Sequence, residues 1–405
     1  MRGGRVAIVG GSVGGCAAAL AAHRGGAAEI TVYEQAAGRL ADRGVGVAVH
    51  DGRYAELESA GYLDASMPWV QVVRRRWYVR DDDAAPLGRE IGVMPFPFRM
   101  YNWGPLWHEL RRRMPVTAEF RTSTRVRRVA AAPGGGAEVH TECGSDRYDL
   151  VVGADGYRSV VRTAAFPDVR PEYAGYLAWR GAFPAARLTE ADRWAAEDGV
   201  YVVFPGGHVI IYRIPDGTGG HRVNWVLYAA PSPDLELPVD APTSLPPGRV
   251  TESLHARLAH ITEHLLPPYW GALVRLTTPG ELFVQPMYDF TAPRYTAGAV
   301  ALLGDAATVA RPHTGAGAVK ALQDATALQS ALATTTAWPD ALHAYDSARA
   351  TAGRGIVDLG RRLGRALVQQ TPDWHSLDQT ALEAWWQRAD GSGMFGGGRL
   401  GRQGP

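Results

Sequence analysis

The sequence predicts an α/β protein with a Rossmann-like parallel-sheet domain, an interleaved and mostly antiparallel sheet domain, and a C-terminal helical segment. Three observations predict it. Arg5-Val-Ala-Ile-Val9 reads as a buried strand that turns through Gly10-Gly-Ser-Val-Gly-Gly15 into the helix Cys16-Ala-Ala-Ala-Leu-Ala-Ala22, and a second strand, Glu29 to Tyr33, ends on Glu34. Two further apolar strands stop at an acid: Leu150 to Val152 runs into Gly153-Ala-Asp155-Gly156, and Ala299 to Leu303 runs into Gly304-Asp305. Between Tyr173 and Ala230 the pattern changes to alternating strands (175–183, 201–204, 208–214 and 222–228), which a separate antiparallel sheet explains most simply.

The first unit has the chemistry of a pyrophosphate cradle. Small residues at Gly10, Gly11 and Gly15 let the backbone approach phosphates, and the following helix N-terminus, from Ser12 and Val13 onward, offers free N–H groups and a partial positive charge. Glu34 sits where an acid grips a ribose hydroxyl. The second glycine of the GxGxxG pattern is replaced by Ser12, which either crowds the phosphate or donates to it.

A chain of 405 residues can bury a large core and favours two domains. The 42 basic and 41 acidic residues nearly cancel, giving no electrostatic case for nucleic acid or an anionic membrane, so a small ligand fits better. Cys16 and Cys143 have no CxxC partner or metal-ligand spacing, and a reducing cytoplasmic location is expected. No secretory leader or membrane-spanning run is expected, because the first strand begins within five residues and the apolar stretch after it is broken by glycine and serine.

In chain order, a loop from Gly38 leads into an alternating segment that ends on His50, and a helix follows from about Tyr54 to Ala60. Residues 70–98 suggest a strand pair, with Arg74, Arg75 and Arg76 expected on a solvated face. Trp103 to Met114 reads as an amphipathic helix, and Phe120 to Ala130 and Ala137 to Thr141 as two strands around Pro133-Gly-Gly-Gly136. Pro231 to Pro247 is expected to be a structural loop, and Val250 to Leu266 a helical piece. After Gly304-Asp305, Arg311-Pro-His-Thr-Gly-Ala-Gly-Ala318 opens a long amphipathic helix whose Val319, Leu322, Ala325, Leu328 and Leu332 recur at helical spacing. Asp340 to about Trp386 reads as helical, and the glycine-rich stretch from Gly391 to Pro405 as a disordered tail.

Gly10 to Gly15 with Glu34, then Asp155-Gly156, then Gly304-Asp305 with Pro312 and Gly315-Ala-Gly317, together resemble the single-component FAD-dependent aromatic hydroxylases of the p-hydroxybenzoate hydroxylase type. Tyr173-Ala-Gly-Tyr-Leu-Ala-Trp-Arg-Gly181, His208 to Tyr212 and Arg311-Pro-His313 look like the hydroxypyridine-hydroxylating branch, the 2,6-dihydroxypyridine 3-monooxygenase-like enzymes. The resemblance implies one noncovalent FAD held by the first turn and Glu34 at its ADP half, by Asp305 at its ribityl chain, and by the helix N-terminus at Pro312, Gly315, Ala316 and Gly317 along its pyrimidine edge. It further implies that Arg43, Arg111, Val126 and Asp155 approach the cofactor, that NADH or NADPH is a passing co-substrate, and that O2 is consumed. It divides the chain into an FAD-binding domain (1–70, 99–172, 285–340), a substrate sheet (71–98, 173–284), C-terminal helices (341–388) and a tail (391–405), and allows a homodimer. The histidine that many relatives carry after Gly-Asp-Ala-Ala is Thr308 here, so no role of that histidine is transferred.

The implied reaction is attack of an electron-rich hydroxylated aromatic or heteroaromatic ring on a C4a-hydroperoxyflavin, so a base near the ring is useful. His208 and Tyr212 lie four apart on a strand, hence on one face, and resemble a base and hydrogen-bond pair of the family; the alternative is a turn histidine and a core tyrosine. His50 is a third catalytic candidate. His313 is either the floor beside the flavin or a packing residue at a helix entry, and Arg180 is expected to make a structural or cofactor-side ion pair. Trp103, Trp107, Trp179 and Trp225 fit core packing at least as well as an aromatic cage. The cofactor-side motifs leave epoxidation, Baeyer–Villiger insertion and a non-oxygenating oxidation or cyclisation open beside hydroxylation.

Overall fold

The computed structural model describes residues 3–37, 46–82, 84–231, 244–391 and 393–398. Among these, the strands form three sheets. The first runs in the order Thr296–Ala297, Val300–Leu302, Leu150–Gly153, Arg5–Val9, Glu29–Tyr33, Glu119–Arg121. Its pairs are parallel except the first. From Arg5–Val9 the chain moves first to one side, to Glu29–Tyr33, and later to the other, to Leu150–Gly153. That reversal opens a crevice at the carboxyl ends of these strands, where open α/β sheets bind ligands.

The first helix, Val13–Arg24, is buried on nearly every face because its middle is alanine. Small side chains let it lie between the parallel sheet and the long helix Gly317–Thr334, close enough that a Cβ on Gly25 would stand 2.5 Å from the Leu332 Cβ. Phe120 to Ala130 is two elements, in correction of the single strand expected. Glu119–Arg121 edges the parallel sheet, while Val126–Ala131 joins Ala137–Thr141 and Gly144–Tyr148 in a three-stranded antiparallel sheet.

The large sheet has the order Thr308–Val309, Phe283–Thr291, Glu172–Pro184, His221–Ala229, Gly207–Pro215, Asp198–Phe204, Trp69–Val79, Arg89–Asn102, Gly46–His50. It is antiparallel except where Asp198–Phe204 runs parallel to Trp69–Val79. Four of the domain limits read from sequence fall inside its strands: Trp69–Val79 crosses 70, Arg89–Asn102 crosses 98, Glu172–Pro184 crosses 172 and Phe283–Thr291 crosses 284. Long strands run on past the point where composition changes, so one sheet links the two halves. One face packs Trp179, Val202, Ile211 and Trp225 against Leu254, Ile261, Trp270 and Leu273 of the helices Glu252–His264 and Pro268–Arg275. The other faces the crevice, the helix Trp338–Gly364 and the terminal helix Gln379–Asp390.

The three consecutive arginines divide by strand alternation. Arg74 and Arg76 reach out to Asp198, but Arg75 points inward and is 2% exposed. Its guanidinium stacks over Trp386 at 3.6 Å and lies near Trp77, Phe96, Tyr201 and Phe395. This corrects the reading of all three as one solvated face; a period of two cannot leave three successive side chains on the same side. The tail is corrected likewise over 393–398. Gly396 N donates to Thr314 O at 2.8 Å, Gly398 O accepts from Gln323 Nε2 at 2.7 Å, and Phe395 packs on Phe96 and Phe98.

Candidate active site

A cavity of about 780 Å³ begins at the crevice of the parallel sheet and ends against the inner face of the large sheet. At its first end, Gly10 has φ +103°, and a Cβ there would stand 2.3 Å from Ala154 O. A Cβ on Gly15 would stand 1.8 Å from Gly10 O, so both positions require glycine. Gly11 N donates to Glu34 Oε2 at 2.9 Å, and Ala36 N donates to Glu34 Oε1 at 2.8 Å. Each carboxylate oxygen keeps a lone pair for a ligand hydroxyl. Ser12 and Val13 line the cavity, the Ser12 hydroxyl does not cap its own helix, and the helix's first turn carries no acid. Gln35, Thr124 and Arg125 complete this end together with Val126. None of these first three carries a motif; they enter by strand pairing.

Midway, Gly304 at φ +61° turns the chain so that Asp305 faces the cavity. Gly304 N donates to Asp324 Oδ2 at 2.9 Å, and Lys320 Nζ donates to Gly304 O at 3.2 Å and to Asp324 Oδ2 at 2.6 Å. Arg349 Nε donates to the other Asp324 oxygen at 2.6 Å. Burial alone would raise the Asp324 carboxyl, but Lys320 and Arg349 hold it below its ordinary value. The Asp305 carboxylate makes no hydrogen bond within the described protein. Its surface is open to the cavity, yet the protein mass around it desolvates it and raises its pKa, with Lys320 opposing. Pro312, Gly315, Ala316 and Gly317 line the next wall, at the N-terminus of the helix Gly317–Thr334, whose first turn also lacks an acid. Arg311 anchors this turn through Asp289 at 2.7 Å.

At the far end the large sheet supplies its inner face in register. Arg180 pairs with Val226, Val226 with Ile210, and Ile210 with Tyr201, so four side chains stand in a row across four strands. His208 pairs with Tyr228 one step along. The imidazole of His208 stacks on Tyr201 and Tyr228, with ring centres at 5.8 and 5.0 Å, and is 1% exposed. Its Nδ1 has no partner among the described residues, and burial lowers its pKa to about 3, against the backbone of Leu367. Tyr212 shares its face and lines the cavity; burial raises its phenol to about 12, with Arg180 pulling the other way. His313 lies beside His208 at 5.3 Å, shares a 2.7 Å hydrogen bond with Tyr176 through Nε2, and is held well below its ordinary pKa by burial, His208 and Arg311. Phe96, Met100, Leu367 and Phe395 close the end.

The structure thus brings to one cavity Gly10, Ser12, Val13, Glu34, Val126, Asp155, Asp305, Pro312, Gly315, Ala316, Gly317, His208 and Tyr212. Gly11, Gly15 and Gly304 support its turns from behind. Three expectations are corrected, for His50, Arg111 and the structural ion pair of Arg180. His50 does not line the cavity: its Nδ1 accepts from Gly52 N at 3.0 Å, capping the helix Asp51–Ser59. Arg111 stands behind the first turn, over the Phe120 ring at 4.0 Å. Asp155 does line the cavity, and its oxygens accept from Ser159 Oγ at 2.5 Å and Val160 N at 2.8 Å, at the start of the helix Val160–Ala165. Arg180 makes no ion pair among the described residues. Arg43 lies outside the described residues.

The geometry of the cavity suits FAD. Two glycines that a Cβ would block, two helix N-termini without first-turn acids, and an unpartnered carboxylate between them suit a pyrophosphate, a flavin edge and a polyol respectively. Cys16, whose thiol burial pushes up to about 12, offers no nucleophile for a covalent link. The residues fit, and they define a flavoprotein.

Comparison with known proteins agrees. A family model described as "FAD binding domain-like" matches residues 173–289, and one described as "FAD binding domain" matches 273–359. The chain is 30% identical over 391 residues to 3-amino-4-hydroxybenzoate 2-monooxygenase of Streptomyces cremeus, covering 93% of this chain and 91% of that one. It is 26% identical over 382 residues to 2,6-dihydroxypyridine 3-monooxygenase of Paenarthrobacter nicotinovorans, covering 90% and 91%. Its fold matches the solved structure of 2,6-dihydroxypyridine-3-hydroxylase from Arthrobacter nicotinovorans with a TM-score of 0.80 at 23% identity, over 93% of this chain and 96% of that one. The chain belongs to the FAD-dependent monooxygenases of the p-hydroxybenzoate hydroxylase type.

Proposed function

We propose that this monooxygenase hydroxylates a small hydroxylated aromatic or heteroaromatic ring with NAD(P)H and O2. The observation that carries the reading is the far end of the cavity. Tyr201, Tyr228, Phe96 and Phe395 give it ring-stacking walls, while the Tyr212 phenol and the Nδ1 of His208, which has no partner among the described residues, supply polar groups. Relatives named for aminohydroxybenzoate and dihydroxypyridine support the substrate class.

The chain's residues divide the work. Gly10 to Gly15 and the helix behind them hold the pyrophosphate, Glu34 the ribose and Asp305 the ribityl chain, while the N-terminus at Gly317 lies along the pyrimidine edge, where its dipole favours negative charge. Bound FAD supplies the acceptance of hydride from NAD(P)H and the activation of O2. The described residues form one dinucleotide cradle and FAD fills it, so NAD(P)H visits from the surface and leaves, as fits a cytoplasmic enzyme. His208, neutral across the physiological range, accepts a hydrogen bond from the substrate hydroxyl at Nδ1. The Tyr212 phenol keeps its proton and donates. The aromatic walls exclude water from the ring.

The test is oxygen uptake and NAD(P)H oxidation by the yellow holoenzyme, with and without a panel of phenols, hydroxybenzoates and hydroxypyridines, together with product mass. Stimulated oxidation with one oxygen atom added to a ring supports the reading. Oxidation that no ring compound stimulates, or a product without added oxygen, would overturn it.

A further inference from the structure

The substrate end of the cavity is closed by a segment from far down the chain. Residues 393–398 follow the helix Gln379–Asp390 and run between the turn at Thr314, the helix Gly317–Thr334 and the strand Arg89–Asn102. The slot leaves no room for a side chain at two positions. A Cβ on Gly396 would stand 2.9 Å from both the His50 Cβ and the Phe98 ring, and one on Gly397 would stand 2.9 Å from Val319 Cγ1. Just before them, Phe395 enters the cavity wall, with its ring centre 5.9, 5.6 and 5.2 Å from those of Phe96, Phe98 and Trp386. Phe96 and Met100 in the same wall are fixed by the ladder of their strand. Phe395 has no such ladder, so something else must hold its ring.

Arg75 meets that need. Its Nε and Nη1 have no hydrogen-bond partner among the described residues, and its Nη2 reaches the Met94 sulfur at 3.7 Å. Its guanidinium carbon lies instead 3.6 Å from the Trp386 ring centre and 5.2 Å from that of Phe395, with Trp77, Tyr201 and Phe96 at 5.2, 5.5 and 5.7 Å. Burial lowers its pKa to about 10, with Tyr201 and Asp390 opposing, so it remains a cation at neutral pH. Burying donors without partners is costly, while a desolvated cation is drawn to ring faces more strongly than an exposed one. Arg75 does not line the cavity, but Tyr201, Phe96 and Phe395 do. The charge thus ties a ring of the late segment to rings of the sheet.

We propose that Phe395 sets the size limit of the substrate, admitting a single ring and rejecting a fused pair, and that Arg75 is the positioning residue that holds it in the wall. This rests on the hydroxylase reading and narrows its substrate class. Arg75 acts through the rings and touches neither substrate nor cofactor.

The experiment measures dissociation constants by perturbation of the flavin spectrum of the holoenzyme, with product mass followed in parallel. Two matched pairs keep the polar groups and add one fused ring: 3-hydroxypyridine against 3-hydroxyquinoline, and 4-hydroxybenzoate against 6-hydroxy-2-naphthoate. The wild type should prefer the single ring, and Phe395→Ala should shrink that preference by roughly 10-fold or more, the range of a pocket that changes by a few carbon atoms. Arg75→Met, which keeps the length and removes the charge, should shrink it by roughly 2- to 30-fold, the range of a cation–π contact, with FAD retained. Arg75→Lys should stay near the wild type. Chymotrypsin should cut after Phe395 faster in Arg75→Met than in the wild type. No size preference in the wild type, an unchanged preference in Phe395→Ala, or an Arg75→Met enzyme with wild-type preference and cleavage would each overturn the proposal. So would Arg75→Lys behaving as Arg75→Met does, since packing and not charge would then hold the ring. Phe395→Ala leaves the buried cation in place, so the size limit is tested even where Arg75→Met fails to fold. Failure of the hydroxylase reading looks different: size would still separate the wild type from Phe395→Ala in binding, but no ring compound would be oxygenated.

Discussion

The two ends of the cavity are built by opposite means. At the cofactor end the cradle is shaped by main chain, brought close because Gly10 and Gly15 omit a side chain, and by two helix N-termini. At the substrate end the wall is made of side chains, placed by register across a nine-stranded sheet and by a terminal segment folded back onto it. A backbone site tolerates no added atom but changes little with its surroundings. A side-chain site tolerates substitution, and specificity can shift there without loss of the cofactor.

That contrast breaks most sharply at Gly15. Its missing Cβ would overlap Gly10 O at 1.8 Å, a backbone atom that cannot swing away. Gly15→Ala is expected to yield protein without flavin, with FAD affinity down by ~100-fold or more, since overlap with a backbone atom lies at or above the top of the roughly 1–3 kcal/mol range for overpacking. Normal yellow colour after purification would show that the turn holds something else. Asp305→Ala comes next. A charged acceptor to a hydroxyl contributes about 1.5–3 kcal/mol, so equilibrium titration with FAD should show a loss of roughly 10- to 100-fold. Unchanged affinity would take the ribityl chain away from Asp305.

At the other end, Phe395→Ala should leave FAD binding intact and lower kcat/KM by roughly 10-fold, as expected for a lost aromatic contact of about 0.5–1.5 kcal/mol. More NAD(P)H should then be consumed without product, because the wall that excludes water is opened. The comparison sharpens if removal of everything after Gly391 gives the same result. If instead the truncated enzyme loses flavin, the terminal segment serves the cofactor through its bonds to Thr314 and Gln323.

The same contrast explains what the sequence disclosed. Gly10 to Gly15, Glu34, Gly304 and Asp305 were legible because a tight turn after a strand constrains residue type locally, within a dozen positions. His208 and Tyr212 were legible as a pair, since a period of two places them on one face. Their partners were not. Tyr201 and Tyr228 reach His208 only through strand pairing, and Phe395 arrives from the start of a glycine-rich tail whose composition suggests disorder. His50 misled because a histidine at the end of a strand serves a ligand or the next helix equally well; here it caps that helix. Arg180 misled because its residue type suggests an ion pair, and only the arrangement in space shows that no acid among the described residues pairs with it.

The smallest effect, and the most discriminating, concerns His208. A reference pKa of about 6.5 would suit a general base, and removing a positioned base costs about 10²–10⁴-fold. The structure argues for less. Stacked between two tyrosines, the imidazole is depressed to about 3, so it stays neutral from pH 5 to pH 9 as an acceptor of a hydrogen bond, worth about 0.5–1.5 kcal/mol. His208→Gln should therefore slow hydroxylation by only about 2- to 10-fold, equally across that range, with FAD retained. The same depression has a consequence for stability. The unfolded chain takes up the proton below about 6.5 while the folded chain refuses it until about 3, so stability is full above the first value and falls as the pH drops between them, at ~1.4 kcal/mol per pH unit. His208→Gln should flatten that acid limb, with His313 still contributing its own share. A loss of 100-fold or more that disappears at high pH, with an unchanged acid limb, would restore His208 as the base and show that the occupied site, with its flavin and substrate, returns the imidazole to an ordinary pKa.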